Sequence, residues 1–388
     1  MTAPPAAAGT GARTVAAAAL AGAAVLSSRL FAANLLIGVA FVASWIAWRR
    51  GLFKGRPHAR VLVPALVAFV VVSLLATLAS QDPLVSFSQA PRLLVLLLVP
   101  LAALLLDRTW WARVVAGLAV ATAVLAVWGL VQYLHGADNL EQRIRGPLSH
   151  YMTYSGWLLV AVLVLIAEAA LGHGRRRLWL VPPAALGTVA MLLSLTRNSW
   201  VGLAAGLLLL GLTWHRRLLI VYPLLAVAVW LAAPRTVIDR VWSTFDLRQH
   251  ANYDRLCMLV SGIQMVRDYP WTGIGPDMVP QLYPLYRRDD APRWRVPHLH
   301  NNPMQIAAER GLPGLATYLW LIGAFAVTTW RGLPRLVPED RAAVASTLVA
   351  VAGITVAGAF EYNFWDAEIQ YLVLILMGAG AGRVEGAS

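Results

Sequence analysis

Apolar stretches recur from one end of the chain to the other, separated by short segments that carry arginine, glycine and proline. A soluble domain with a single anchor concentrates its apolar run in one place. Runs spread over the whole length predict a membrane domain of many packed helices. Twelve are predicted, at 14–28, 30–48, 61–79, 92–106, 110–134, 151–170, 178–195, 199–213, 217–233, 304–330, 342–360 and 368–382. The first is shorter than the roughly 20 residues that a perpendicular span needs. Arg29 leaves little room for a turn after it, so a re-entrant pair is the alternative for the first two.

One long polar interruption, 234–303, stands between the ninth and tenth helices. Within it, 252–266 reads as a helix ended by Tyr269-Pro270 and the turn Gly273-Ile274-Gly275-Pro276. The expected organisation is a disordered cytoplasmic N-terminus at 1–13, helices one to nine over 14–233, and an outer loop at 234–303. The last three helices follow over 304–382, with a cytoplasmic tail at 383–388.

Composition agrees with lipid as the solvent. Of the 388 residues 59% are hydrophobic and 13% charged, against roughly 25% charged in an average soluble domain. The formal charge is +13, with one lysine, Lys54, among 32 basic residues. Nucleic-acid binding is not expected, because the basic residues fall between apolar segments and form no polar face. Cys257 is the single cysteine, which rules out an intramolecular disulfide and a cysteine metal cluster.

The arginines also orient the chain. With the N-terminus inside, the cytoplasmic side collects clusters such as Arg49-Arg50 and Arg175-Arg176-Arg177. The opposite short loops hold only Arg29, Arg92, Arg143, Arg145 and Arg197. Both termini are therefore expected in the cytoplasm, and 234–303 outside. That loop interleaves tryptophan and tyrosine with arginine, so it is expected to lie on the membrane surface among the lipids.

Arginine on the translocated side is the first chemical signal. The guanidinium fork grips phosphate oxygens bidentately, which suits a pyrophosphate at the membrane surface. Phospholipid headgroups, or aspartates such as Asp239 and Asp290, are the alternative partners for any one of them. Arg197, in Leu195-Thr196-Arg197-Asn198-Ser199-Trp200, and Arg145, in Arg143-Ile144-Arg145-Gly146-Pro147, lie closest to membrane depth. Ionisable groups there are functional candidates, with snorkelling as the other reading. The second signal is Pro297-His298-Leu299-His300-Asn301-Asn302-Pro303. A His-x-His pair can ligate zinc, but no cysteine, third histidine or glutamate at ligand spacing completes the set, so no metal is expected. A general base fits better, since nearby arginines oppose a further positive charge on the ring and favour the neutral imidazole. A helix-capping or loop-bonded histidine is the structural alternative.

These residues resemble the O-antigen ligase and polymerase family of membrane proteins. His300-Asn301, nine residues, Gly311, two residues and Gly314 match the ligase pattern of His, then Asn, Ser or Gln, nine residues, Gly, two residues and Gly, Thr or Tyr. Arg255 followed by Leu259 is similar to the family's Arg-x3-Leu, and Asp268-Tyr269-Pro270-Trp271-Thr272-Gly273-Ile274-Gly275 to its D-x-P-x-x-G-x-G stretch. Ser194 to Trp200 resembles its S-R-x-x-W segment, with Leu195 and Thr196 inserted between Ser194 and Arg197.

The resemblance implies an all-α membrane protein of about twelve transmembrane helices, with one long periplasmic loop that contains short helices, similar to GT-C glycosyltransferases. It implies a metal-independent, inverting glycosyl transfer that needs no cofactor. The donor would be undecaprenyl-pyrophosphate-linked O-antigen and the acceptor lipid A-core oligosaccharide. His300 would be the base, with Arg197 and Arg255 steadying charge on the leaving pyrophosphate; Arg145, His298, Arg288 and Asn301 would touch substrate. An O-antigen polymerase and a protein O-oligosaccharyltransferase of the same family are the rival readings, and a flippase or transporter is a rival from another class. Transport predicts charges at mid-membrane in several helices, and only Glu168 stands inside an apolar stretch.

Overall fold

The computed structural model describes residues 5–387 except 173, 215, 245 and 247. Helix dominates, and among the described residues no strand forms, only an isolated bridge between Asp138 and Arg143. A backbone in hydrocarbon must satisfy its own polar groups, and a helix does so within one segment.

Seven helices among the described residues are long and apolar enough to cross a membrane: Leu30–Arg49, Pro83–Leu105, Arg108–Leu134, Tyr151–Leu171, Asn302–Arg335, Pro338–Ala357 and Ala367–Gly386. Three shorter apolar helices accompany them, Gly11–Val25, Val63–Leu78 and Arg177–Leu193. The chain is thus a multi-pass membrane protein. The predicted spans 199–213 and 217–233 are helices of 17 and 15 residues, Arg197–Thr213 and Leu218–Ala232. The predicted span 92–106 is interrupted: a 3-10 stretch, Ala90–Leu97, precedes the helix Leu98–Leu105, with Pro91 at its start. The first helix begins at Pro5, inside the segment expected to be disordered.

Tyr151–Leu171 is the central helix. Fourteen of its 21 residues are buried, and Val181–Leu193, Arg197–Thr213, Pro338–Ala357 and Ala367–Gly386 pack around it. The outer helices instead expose large apolar side chains such as Phe31, Leu35, Val67 and Val120, the surface that lipid covers. Charges collect at the two ends. At one end Arg13 pairs with Asp107 at 3.2 Å, Arg60 with Glu385 at 3.0 Å and Arg108 with Asp340 at 2.6 Å. The long loop occupies the other end, with helices Arg235–Trp242, His250–Asp268 and Val279–Tyr286. The helix predicted at 252–266 falls within the second of these.

One break in a helix fixes this loop. Asn302–Gly332 kinks at Gly311, whose φ is 66°. A Cβ there would lie 2.6 Å from the carbonyl carbon of Trp271, so only glycine allows both the turn and the close approach. The freed backbone groups are used: Leu312 N–H donates to Pro270 O (2.8 Å), Ile274 N–H to Ala308 O (2.9 Å) and Gly275 N–H to Glu309 O (3.1 Å). The glycine of the sequence motif therefore shapes the backbone and docks 270–275 against the kink.

Candidate active site

The entrance to the kinked helix is laced to the loop before the last helix. Asn302 N–H donates to Gly358 O (2.7 Å) and its amide to Asn363 Oδ1 (2.8 Å). Asn301 caps the helix, accepting from Met304 N–H (2.8 Å) and donating to Ala359 O (2.7 Å). That register brings His300 against Glu361, with Nδ1 2.9 Å from both carboxylate oxygens. His300 has φ 50°, in the left-handed region. Such a backbone costs about 1–3 kcal/mol and persists where the surroundings impose it.

Glu361 is 6% exposed, yet it remains charged. Burial opposes ionisation, but the hydrogen bond from His300, the two imidazoles as they take up protons in acid, and Arg255 outweigh it and hold the carboxyl down at about 2. Arg255 Nη2 and His298 Nε2 each lie 3.7 Å from that carboxylate. An ionised carboxylate only accepts, so His300 donates to it from Nδ1–H, and in the neutral ring that tautomer leaves the lone pair on Nε2. His298 packs edge-on to His300 at 4.2 Å, and burial lowers it to about 4, which leaves it neutral at pH 7.

The pair faces a cavity of about 610 Å³ whose wall holds Arg143, Arg197, Arg240, Arg255 and Arg293. Arg293 is neutralised by Asp254, with Nε at 2.6 Å. Arg197 and Arg240 form no ion pair among the described residues. Arg197 donates to Ser243 O (3.0 Å) and Asn252 Oδ1 (2.5 Å), and Arg240 to Leu195 O (3.3 Å). Both are under one-tenth exposed. Burial, then repulsion from Arg197, Arg143 and Arg255, pushes Arg240 down to about 9. Buried cations that repel one another in this way form a site that an anion stabilises.

Of the residues predicted from sequence, His300, His298, Arg255 and Arg197 line this cavity. Arg145, Arg288 and Asn301 do not. Arg145 is exposed and donates to Ser149 O at 3.1 Å, and Arg143, two residues earlier, takes the place expected for it. Arg288 is exposed and paired with Asp290 at 2.9 Å. Asn301 spends its amide on the helix cap. Glu361, Arg240 and Arg143 were not singled out, and Glu361 changes two expectations. The charge nearest His300 is an anion and not an arginine. A third potential metal ligand also exists, since donor atoms of His298, His300 and Glu361 lie within 4.8 Å of one another. The signal for Glu361 was an acidic residue in a short outer turn between two apolar stretches, a position where charge is costly.

Residues 182–319 match the family model described as O-antigen ligase. In this segment the chain is similar to that family. No curated protein matches the chain. Arg197, Arg240, Arg255, His298 and His300 lie inside the matched segment, whereas Arg143 and Glu361 lie on either side of it. The cavity is therefore completed by residues that flank the matched part.

Proposed function

We propose that the protein transfers O-antigen glycan from undecaprenyl pyrophosphate to a hydroxyl of lipid A-core oligosaccharide, at the periplasmic face of the bacterial inner membrane, without a metal. The observation that carries this reading is His300, oriented by Glu361, facing a cavity with unpaired buried arginines. His300 Nε2 takes the proton of the acceptor hydroxyl as its oxygen bonds to C1 of the donor sugar. The bond from C1 to the pyrophosphate oxygen breaks on the opposite side, which inverts the anomeric centre and releases undecaprenyl pyrophosphate. Arg197, Arg240 and Arg255 offset the charge that grows on the leaving group, the task a metal ion performs in other transferases. His298, neutral and adjacent, shapes the wall beside the base. Both termini are assigned to the cytoplasm.

A lipopolysaccharide gel from a strain that lacks the gene tests the reading. Loss of the ladder on lipid A-core, with lipid-linked polymer retained, is the expected result. A single repeat left on the core would indicate a polymerase, and intact lipopolysaccharide with lost protein glycosylation would indicate a protein O-oligosaccharyltransferase.

A further inference from the structure

A second chamber of about 630 Å³ adjoins the first, and Thr153, Pro297, His298, Tyr362 and Asp366 line both. Its chemistry is the reverse of its neighbour's. Asp277, Asp366 and Glu368 stand in its wall. The buried Arg310 there is already paired with Glu309 at 2.8 Å, and the remaining arginine, Arg92, is exposed. Such a wall favours a pyrophosphate less than the unpaired arginines next door do.

The wall also holds polar atoms without a protein partner. Gln370 is 4% exposed, and its amide nitrogen makes no hydrogen bond. Asp366 accepts from Thr153 through Oδ2 at 2.7 Å and has Oδ1 unpartnered. The two residues are one helical turn apart, joined by Gln370 N–H to Asp366 O at 2.7 Å, so they share a face. A free donor beside a free acceptor matches a sugar hydroxyl, which can accept from one and donate to the other. Trp365, also in the wall, adds aromatic surface there, with Arg310 over its ring at 5.0 Å.

We infer that this second chamber is the acceptor site and binds an uncharged sugar residue, its hydroxyls on Asp366, Gln370 and Glu368. The inference rests on the transferase reading and assigns the two substrates to two walls of opposite charge that meet at His298. The full-length protein in lipid nanodiscs is titrated with two probes: dephosphorylated core oligosaccharide from the source strain, and undecaprenyl pyrophosphate. Gln370→Leu should weaken oligosaccharide binding about 10-fold, the effect of losing one buried hydrogen bond, and Glu368→Gln should weaken it less, each with pyrophosphate binding unchanged. Arg240→Ala should do the opposite. Unaltered pyrophosphate affinity also shows that the variants fold. Wild-type binding of pyrophosphate without binding of oligosaccharide overturns the acceptor chamber and leaves the transferase reading standing. Failure of the wild type to bind either probe defeats the transferase reading itself. Equal loss of both ligands in the chamber variants overturns the division into two sites.

Discussion

His300 Nδ1 lies 2.9 Å from both oxygens of Glu361, a contact between residues 61 apart in sequence. If this carboxylate fixes the tautomer, losing it lowers turnover without touching the donor. His300→Ala is expected to lose about 10²–10⁴-fold in transfer, the usual span for a positioned base. Glu361→Gln should fall between that variant and wild type, keep its affinity for undecaprenyl pyrophosphate, and alter the pH profile of kcat. Wild-type transfer by a folded His300→Ala protein would remove the histidine from the chemistry.

His298 and Glu361 give the site two acid-sensitive windows. His298 is held at about 4 against an ordinary 6.5, so the unfolded chain binds more protons between these values and stability falls as pH drops through them. Glu361 is held at about 2 against an ordinary 4.5, so its contribution is complete above 4.5 and is lost as pH falls through about 2. Thermal midpoints in nanodiscs between pH 7 and pH 3 should show a shallower upper window in His298→Gln and a shallower lower one in Glu361→Gln. Slopes identical to wild type in both variants would show that the two groups titrate as they do in water.

Arg240 carries a buried charge without an ion-pair partner among the described residues, which is costly to the empty protein and useful to a bound anion. Arg240→Met should therefore raise the thermal midpoint of the ligand-free protein and weaken undecaprenyl pyrophosphate binding about 10–100-fold. A lower midpoint together with unchanged affinity would make Arg240 a packing residue.

The fold was legible wherever apolar length alone decides, since a run such as 151–170 has few alternatives to a buried helix. Its neighbour 92–106 was not, because Pro91 diverts the chain into a 3-10 stretch that hydrophobicity does not register. In the site, His300, Arg255 and Arg197 were visible as charge or imidazole on the outer side. Glu361 was hidden because its pairing depends on the register between Asn302 and Asn363, a tertiary contact without a local sequence signal. Arg145 was preferred over Arg143 on proximity to an apolar helix. It is Arg143 that lies over the ring of Tyr151 at 4.2 Å and lines the cavity.

Orientation is open to a direct experiment. The arginines near Arg13, Arg60 and Arg108 gather at one end of the helices and the site at the other. The charge bias of short loops predicts that the first end faces the cytoplasm. A reporter fused after Asp246 should be active in the periplasm and one fused after Arg176 in the cytoplasm. The opposite pattern would place the site where no lipopolysaccharide acceptor waits.

Metal independence is the sharpest test of the site, because His298, His300 and Glu361 could in principle supply three ligands. Two features argue against a resident cation. Glu361 is engaged by His300 Nδ1 and lies 3.7 Å from Arg255, so a divalent ion would have to displace one cation-donor contact and sit beside another. The facing wall holds Arg143, Arg197 and Arg240, whose charge repels a metal and attracts the pyrophosphate that a metal would otherwise neutralise. Transfer by purified protein should therefore proceed in excess EDTA at the rate seen without it. Activity that disappears with chelator and returns with zinc or manganese, together with its loss in Glu361→Gln, would convert the histidine–glutamate pair from an acid–base device into a metal site.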